Sequence, residues 1–287
     1  MSHGMTIPSV LTGRELAAAI RTEVAEAAAE LTAAGRQPRL AVVTATADEA
    51  SAWYVRSIAT AAGKVGIACD VIDLGPAAAR EAISAELTRL SADRQVAGII
   101  LQTPLPGGIS PAELAGAITV GKDVDGANPH SLGRLVAGLP AFAPATAEAV
   151  IALLEHYRVP LAGRRAVVVG RSTVVGKPVA QLLLQRHATV TICHSRTSDL
   201  GQVTATAEVL VVAAGRAGLI GPGQVRPGAV VIDVGANPTD AGGLAGDVDP
   251  AVAEVAAALT PVPGGVGPVT TALLLRHTVA AAREAAG

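Results

Sequence analysis

The segment Gly170-Arg171-Ser172-Thr173-Val174-Val175-Gly176-Lys177-Pro178 follows an apolar run, 164-RRAVVVG-170, and leads into a helical pattern, 177-KPVAQLLLQRH-187. A glycine where a strand turns into a helix lets the backbone approach a pyrophosphate, which then rests on the positive helix N-terminus. The dinucleotide fingerprint is imperfect here. Ser172 takes the place of the second glycine and Gly176 comes one position late, so a merely tight turn fits as well. The next apolar run, 188-ATVTICHS-195, ends in His194-Ser195-Arg196-Thr197. An NAD site carries an acidic residue at that strand end to hold the ribose 2′-hydroxyl, and none is present. A cation with hydroxyls suits a 2′-phosphate, because a carboxylate would repel the dianion and a guanidinium can chelate it. Arg171 would add to that charge. NADP is therefore the predicted cofactor; a solvated loop arginine is the plainer reading of Arg196.

Those residues need a sheet with helices on both faces, and the chain is patterned for one. Residues 13–34 place apolar side chains at helical spacing and stop at Gly35. A buried strand at 39–45, a helix at 49–66, a strand at 68–75, a helix at 78–93 and a strand at 96–102 follow. This alternation predicts a parallel sheet. The stretch 119-TVGKDVDGANPHSLGRLVAGLPAFAPAT-146 is rich in Gly and Pro and reads as functional loops at a domain boundary. A helix at 146–157 opens a second alternating series, 164–170, 177–187, 188–195, 208–215 and 229–237, in a Rossmann-like order, with a final helix at 269–286.

Composition narrows the partners. With 16% charged residues and a net charge of -2, the chain offers no electrostatic case for nucleic acid or an anionic membrane. Half of its 287 residues are hydrophobic, enough for two domains with their own cores, and only 1% are aromatic. Cys69 and Cys193 lie far apart in apolar runs and are expected as buried, inert thiols; no disulfide or metal site is expected. The N-terminal MSHGMTIPSV lacks the apolar stretch of a signal peptide, and charge interrupts each apolar run before the ~18 residues of a membrane span. A cytoplasmic location is expected.

The strings 102-QTPLPGGI-109, 122-KDVDGANPHSLGRL-135, 170-GRSTVVGKP-178, 190-VTICHSRT-197, 230-VVIDVGAN-237 and 260-TPVPGGVGPVTTALL-274 occur in this order. Together they resemble the methylenetetrahydrofolate dehydrogenase/cyclohydrolase family over nearly the whole chain. The resemblance implies an α/β protein with an N-terminal α/β folate domain (1–144 plus the C-terminal helix 270–287), a C-terminal Rossmann-type NADP domain (145–269) and a cleft between them. It also implies a homodimer, and hydride transfer from the one-carbon bridge of methylenetetrahydrofolate to NADP. Tyr54 resembles the tyrosine that packs on the aminobenzoate ring, Asp125 the aspartate that pairs with the pterin edge, and Gln102 the active-site glutamine. Ser51, Pro104, Pro263, Gly264 and Gly265 would line the substrate. Gly170, Arg171, Ser172, Val175, Gly176, His194, Ser195, Arg196, Thr197, Ala214, Gly215, Gly235, Asn237 and Gly265 would line the cofactor. Plainer readings stand beside these: Tyr54 as an ordinary half-buried tyrosine, Asp125 as a turn cap, the Pro-Gly strings as turns of no chemical role.

One departure concerns the chemistry directly. The family pattern Tyr-Val-x-x-Lys reads 54-YVRSI-58 here, so Ile58 stands where the lysine is expected. Residues four apart share a helix face, which predicts Ile58 beside Tyr54. Arg56 lies roughly 160° around the helix from position 58, and Lys64 about 120° around and ~9 Å along it, so neither replaces the lysine. The segments 125-DGANPHS-131, 144-PATAEA-149 and 45-ATADEAS-51 also depart from the pattern, and His277 stands in place of an asparagine. His130 and His277 are candidate replacement bases, although lone histidines are more often structural. The expectation is a dehydrogenase with an impaired or absent cyclohydrolase step. A bifunctional enzyme, a catalytically silent folate or NADP binder, and a dehydrogenase turned to another pterin are the alternatives.

Overall fold

The computed structural model describes residues 9–239 and 242–285. Its chain divides into two compact units, Met1–Ala17 with Thr146–Thr270 and Ala18–Ala145 with Thr271–Gly287. The expected α/β class holds in each. Residues 9–17 are grouped with Thr146–Thr270. Leu11 N–H donates to the Leu259 carbonyl (3.0 Å) and Gly13 N–H to the Gly264 carbonyl (2.9 Å).

The unit of residues 18–145 and 271–287 is built on strands β1 (Arg39–Thr44), β2 (Ala68–Asp73) and β3 (Gly98–Leu101), all parallel, in the order β2-β1-β3. β1 is central and reads as a continuous apolar run because both of its faces are covered. Ala41, Val43, Ile99 and Leu101 pack with Ile83, Leu87 and Leu90 of helix α3 (Arg80–Ala92), each fully buried aliphatic contributing about 1.5–3 kcal/mol. β2 is an edge strand, so Cys69 is half-buried rather than buried as expected; burial, then the charge of Asp70, raises its thiol to about 11, which keeps it inert. Helix α1 (Arg14–Ala33) contributes most of its length to this unit. Helix α2 (Glu49–Lys64) starts at Asp48, whose carboxylate accepts from Ser51 N–H at 2.7 Å, and buries Ser51, Val55, Ile58 and Ala62 at spacings of three and four. A short helix, α4 (Pro111–Ala115), follows β3.

The stretch expected to be loops contains a further helix, α5 (Pro129–Val136). Asn128 caps it by accepting from His130 N–H at 2.7 Å, and Pro129 supplies a first helical position that needs no donor. The Asn-Pro pair is the one signal of this helix in the sequence, and the surrounding glycines outweigh it.

The other unit begins within helix α6 (Ala145–His156) and carries strands β4 (Arg165–Val169), β5 (Thr189–Cys193), β6 (Val209–Val212) and β7 (Val230–Asp233). With β10 (Ala258–Leu259) they form a parallel sheet in the order β10-β7-β6-β4-β5. Helices α7 (Gly176–Gln185) and α8 (Leu200–Thr204) accompany it, and β8 (Asn237–Pro238) pairs antiparallel with β9 (Leu244–Ala245). Chain order reverses between β4 and β6, and a doubly wound sheet opens a crevice at the carboxyl ends of such a pair. The last helix is α9 (Val266–Glu284). Among the described residues no helix is long and apolar enough to cross a membrane, and no group of three or more His, Cys, Asp or Glu could hold a metal ion.

Candidate functional site

In the unit of residues 18–145 and 271–287, polar groups from α2, β3, the 123–128 loop and α9 converge. Ser51 Oγ and Gln102 Nε2 both donate to the Thr103 carbonyl, at 3.1 and 2.7 Å. One turn beyond Ser51, the Tyr54 hydroxyl shares a hydrogen bond with the Thr271 side chain. Burial, then the nearby Asp125 charge, push that hydroxyl above the ordinary tyrosine range, so it stays a neutral phenol.

Asp125 titrates far from its usual range. Burial first, and the Asp123 charge second, raise its carboxyl to about 7, against the opposing influence of His277 and the Ala145 N–H. Asp123 is fully buried and builds the loop: its carboxylate accepts from the N–H groups of Ala127 and Asn128 (2.9 Å each) and from Ser131 Oγ (2.7 Å). His277, buried on α9, sits 2.7 Å from the Val124 carbonyl through Nδ1, which must carry the proton because a carbonyl only accepts. Its ring also lies 4.9 Å from that of Phe142. His277 is therefore placed beside Asp125, whereas His130 is exposed at the start of α5. Ile58 is 0% exposed. It continues the buried stripe of α2 one turn past Tyr54 and offers neither a charge nor a water-accessible surface. Pro104 is exposed directly after Thr103.

In the other unit the glycine turn is sterically required. Gly170 has φ 132°, and a methyl on it would collide with the Ala213 carbonyl at the end of β6; one on Gly176 would collide with the Gly170 carbonyl. Between them Ser172 Oγ accepts from Val175 N–H at 3.1 Å, which holds the entry to α7. At the end of β5, His194 N–H donates to Thr197 Oγ1 (2.9 Å) and Arg196 N–H to His194 Nδ1 (3.1 Å). That tight turn leaves Ser195 and Arg196 exposed, and Arg171 is exposed after the neighbouring strand β4.

Two buried aspartates that the sequence alone does not single out tie the remaining loops together. Asp247 accepts from Ala214 N–H (2.6 Å), Gly215 N–H (2.9 Å), Arg216 N–H (2.8 Å) and Asn237 Nδ2 (2.8 Å). Asp233 accepts in turn from the N–H groups of Gly235, Asp247 and Val248, at 2.8, 2.9 and 3.0 Å. The Asn237 amide is thus turned toward Asp247 and the Ala245 carbonyl. Gly235 has no room for a side chain against Asp247. Pro263 is exposed, and Gly264 and Gly265 close a turn in which Gly265 N–H donates to the Pro261 carbonyl (2.8 Å). The only signal of the aspartate pair in the sequence is the acid in 230-VVIDVGAN-237 and in 246-GDVD-249. Neither string reveals that two carboxylates fourteen positions apart share one set of loops.

Two family models match: the catalytic domain of tetrahydrofolate dehydrogenase/cyclohydrolase over residues 11–125, and its NAD(P)-binding domain over residues 144–286. The chain is 66% identical over 285 residues to "Bifunctional protein FolD 1" of Saccharopolyspora erythraea, covering 96% of this chain and 97% of that one. It is similar to the crystal structure of the bifunctional methylenetetrahydrofolate dehydrogenase/cyclohydrolase from Campylobacter jejuni (TM-score 0.92, 39% identity, 96% of this chain and 98% of that one). It is equally similar to the Trypanosoma brucei enzyme complexed with NADP cofactor and inhibitor (TM-score 0.92, 36% identity, 96% and 98% covered). The chain belongs to the tetrahydrofolate dehydrogenase/cyclohydrolase family.

Proposed function

We propose that this protein oxidises 5,10-methylenetetrahydrofolate to 5,10-methenyltetrahydrofolate with NADP, and that its cyclohydrolase step is impaired or absent. The convergence of Tyr54, Asp125 and Thr271 from three separate segments carries the reading. Tyr54 offers a planar apolar face for the aminobenzoate ring. Asp125 offers two oxygens to the N–H donors of the pterin edge, and Gln102 and Ser51 hold the adjoining turn. In the other unit, the glycine turn at Gly170–Gly176, with the loops at Ala214–Gly215, Gly235–Asn237 and Gly265, is assigned to the dinucleotide. The absence of an acid after β5 and the exposure of Arg171, Ser195 and Arg196 favour a 2′-phosphate.

In the hydride step a C–H bond of the methylene bridge breaks and its electron pair goes to the nicotinamide ring. The cation left behind is stabilised by the two flanking folate nitrogens, so no protein group has to move a proton. Positioning is the main requirement. Hydrolysis differs, because the water that adds to the methenyl carbon must lose a proton while a ring nitrogen gains one. A positioned acid–base group gives about 10²–10⁴-fold in such a step, and Ile58 supplies none.

The bifunctional names of close relatives favour the second reading, in which water is handled by Gln102 and another group. Spectrophotometry separates the two. NADP reduction that depends on methylenetetrahydrofolate, with accumulation of the methenyl chromophore, is the expected result. Hydrolysis of methenyltetrahydrofolate should rise about 10²–10⁴-fold in Ile58→Lys, with dehydrogenase activity as the control for folding. Equal hydrolysis rates in both proteins would refute the impairment; NADP reduction independent of the folate would refute the whole assignment. The proposal includes a homodimer, checked by sedimentation.

A further inference from the structure

Lys122 stands three residues before Asp125, and its side chain reaches the carboxyl end of α3. Its Nζ donates to the carbonyls of Asp93 (2.6 Å), Ser91 (2.8 Å) and Leu90 (3.4 Å). An ammonium has three donor hydrogens, and these are spent at a helix end, where backbone carbonyls are short of donors. The helix dipole adds to the attraction. A lysine that merely decorated the helix end would keep its charge in water. Lys122 is instead half-buried, and burial lowers its pKa against the opposing charge of Asp93. Ser91 reinforces the same seat: its Oγ accepts from Thr119 N–H and donates to the Ala117 carbonyl, both at 3.0 Å.

From this seat the chain runs directly to the site. The Lys122 carbonyl accepts from Val124 N–H at 2.9 Å, and Asp123 bridges to Ile99 of β3. The Val124 side chain lies over Gly98, where a methyl would collide with it. The bonds of Asp123 to Ala127, Asn128 and Ser131 close the loop on itself; Lys122 ties it to a separate helix. We infer that Lys122 is a positioning residue for folate binding: its ammonium, seated on the end of α3, fixes where Asp125 meets the pterin edge. The inference rests on the assignment of Asp125 to that edge. Without the seat the backbone bonds of the segment remain, but folate binding has to supply the missing order.

The test is Lys122→Met in the full-length protein, which keeps the unbranched stem and removes the charge. Steady-state kinetics and calorimetric titration with methylenetetrahydrofolate are the measurements. The folate KM should rise about tenfold, because part of the lost hydrogen bonding to a charged group must be made good on binding. The kcat at saturating folate and the KM for NADP should stay within about twofold. In an Asp125→Ala background, Lys122→Met should change the folate affinity by less than about twofold, since its effect passes through the missing carboxylate. A lysine that serves the fold alone would give additive losses instead. Lys122→Arg keeps the charge in a flat fork and should raise the folate KM by about threefold; it carries the test if the methionine variant does not fold. An unchanged folate KM in both variants, matching rises for folate and NADP, or additive losses with Asp125→Ala would each overturn the inference and leave the folate assignment standing. If Asp125→Ala itself binds the folate as the wild type does, the assignment of Asp125 fails and the inference falls with it.

Discussion

Replacing Asp247 by Asn tests how the nucleotide loops are held. In the wild type one carboxylate oxygen accepts from Ala214 and Gly215, the other from Arg216 and Asn237. An amide keeps one acceptor, and its NH₂ must face two of those donors. The least costly orientation presents the NH₂ to Arg216 and Asn237. Asn237 can then flip to accept, losing its 3.2 Å bond to the Ala245 carbonyl. Arg216 N–H is left without its partner. Asp247 itself is fully buried, but residues 214–216 are exposed, so water softens the loss to about 1–2 kcal/mol. With the Asn237 bond, the variant should lose roughly 2–3 kcal/mol of stability in urea unfolding. The 214–216 loop lies at the end of β6, at the reversal of strand order where the dinucleotide is assigned. Each kcal/mol of loop ordering that binding must then supply weakens NADP by about fivefold. The KM for NADP should rise about 5- to 50-fold, while the folate KM stays within about twofold. A variant with lowered stability but an unaltered NADP KM would show that Asp247 serves the fold alone, and the reasoning would fail.

The folded-state pKa of Asp125, about 7, lies above the ordinary 3.8, so the folded form holds this proton more tightly than the unfolded chain does. The stability it contributes is complete below about pH 3.8 and is lost as pH rises through about 7. Asp125→Asn carries no such dependence. Relative to the wild type it should gain on the order of 1–2 kcal/mol between about pH 5 and pH 8.5 in urea titrations, once partial exposure is allowed for; parallel curves would contradict it. Arg171→Ala/Arg196→Ala should raise the NADP KM by at least about tenfold, since hydrogen bonds to a charged phosphate are each worth about 1.5–3 kcal/mol. NAD kinetics should hardly move, and a matching loss with NAD would refute the 2′-phosphate assignment. Gly176→Ala should force the Gly170 carbonyl aside and cut NADP affinity by at least about tenfold in a folded protein, as calorimetric titration would show.

Strands and helices are legible because their signal is local. The run 39-RLAVVTA-45 forms β1, and the spacing of apolar residues in 49–66 forms α2, within a residue or two. Gly170 is legible because a strand-to-helix turn leaves few other ways to bring the chain round. What escapes a reading of the sequence is held by long-range polar contacts. Asp233, Asp247 and Asp123 act through backbone N–H groups that could belong to any loop until the fold is known, and the Tyr54–Thr271 bond joins residues more than two hundred positions apart. The pairing of residues 9–11 with the end of β10 also depends on a partner strand of two residues, too short for any periodicity to announce.

The contrast between Asp125 and Ile58 links packing to function. Ile58 is fully buried and Asp125 half-buried. Asp125 answers burial by shifting its titration to about 7, at little structural cost, because Asp123 and its donors hold the loop whichever form it takes. An ammonium group at position 58 would face the same desolvation, which lowers the pKa of a lysine and makes it a better proton acceptor near neutrality. An alkyl group there makes the stripe of Ser51, Val55 and Ala62 continuous and removes that desolvation cost. It also removes the only side chain at this position able to take a proton from water. In the proposed mechanism hydride transfer moves no proton through the protein and needs nothing from position 58, whereas hydrolysis draws on an acid–base group that an alkyl side chain does not supply. On the proposed reading, Ile58→Lys should raise hydrolysis and lower resistance to urea unfolding together; a fall in stability with unchanged hydrolysis would refute that link.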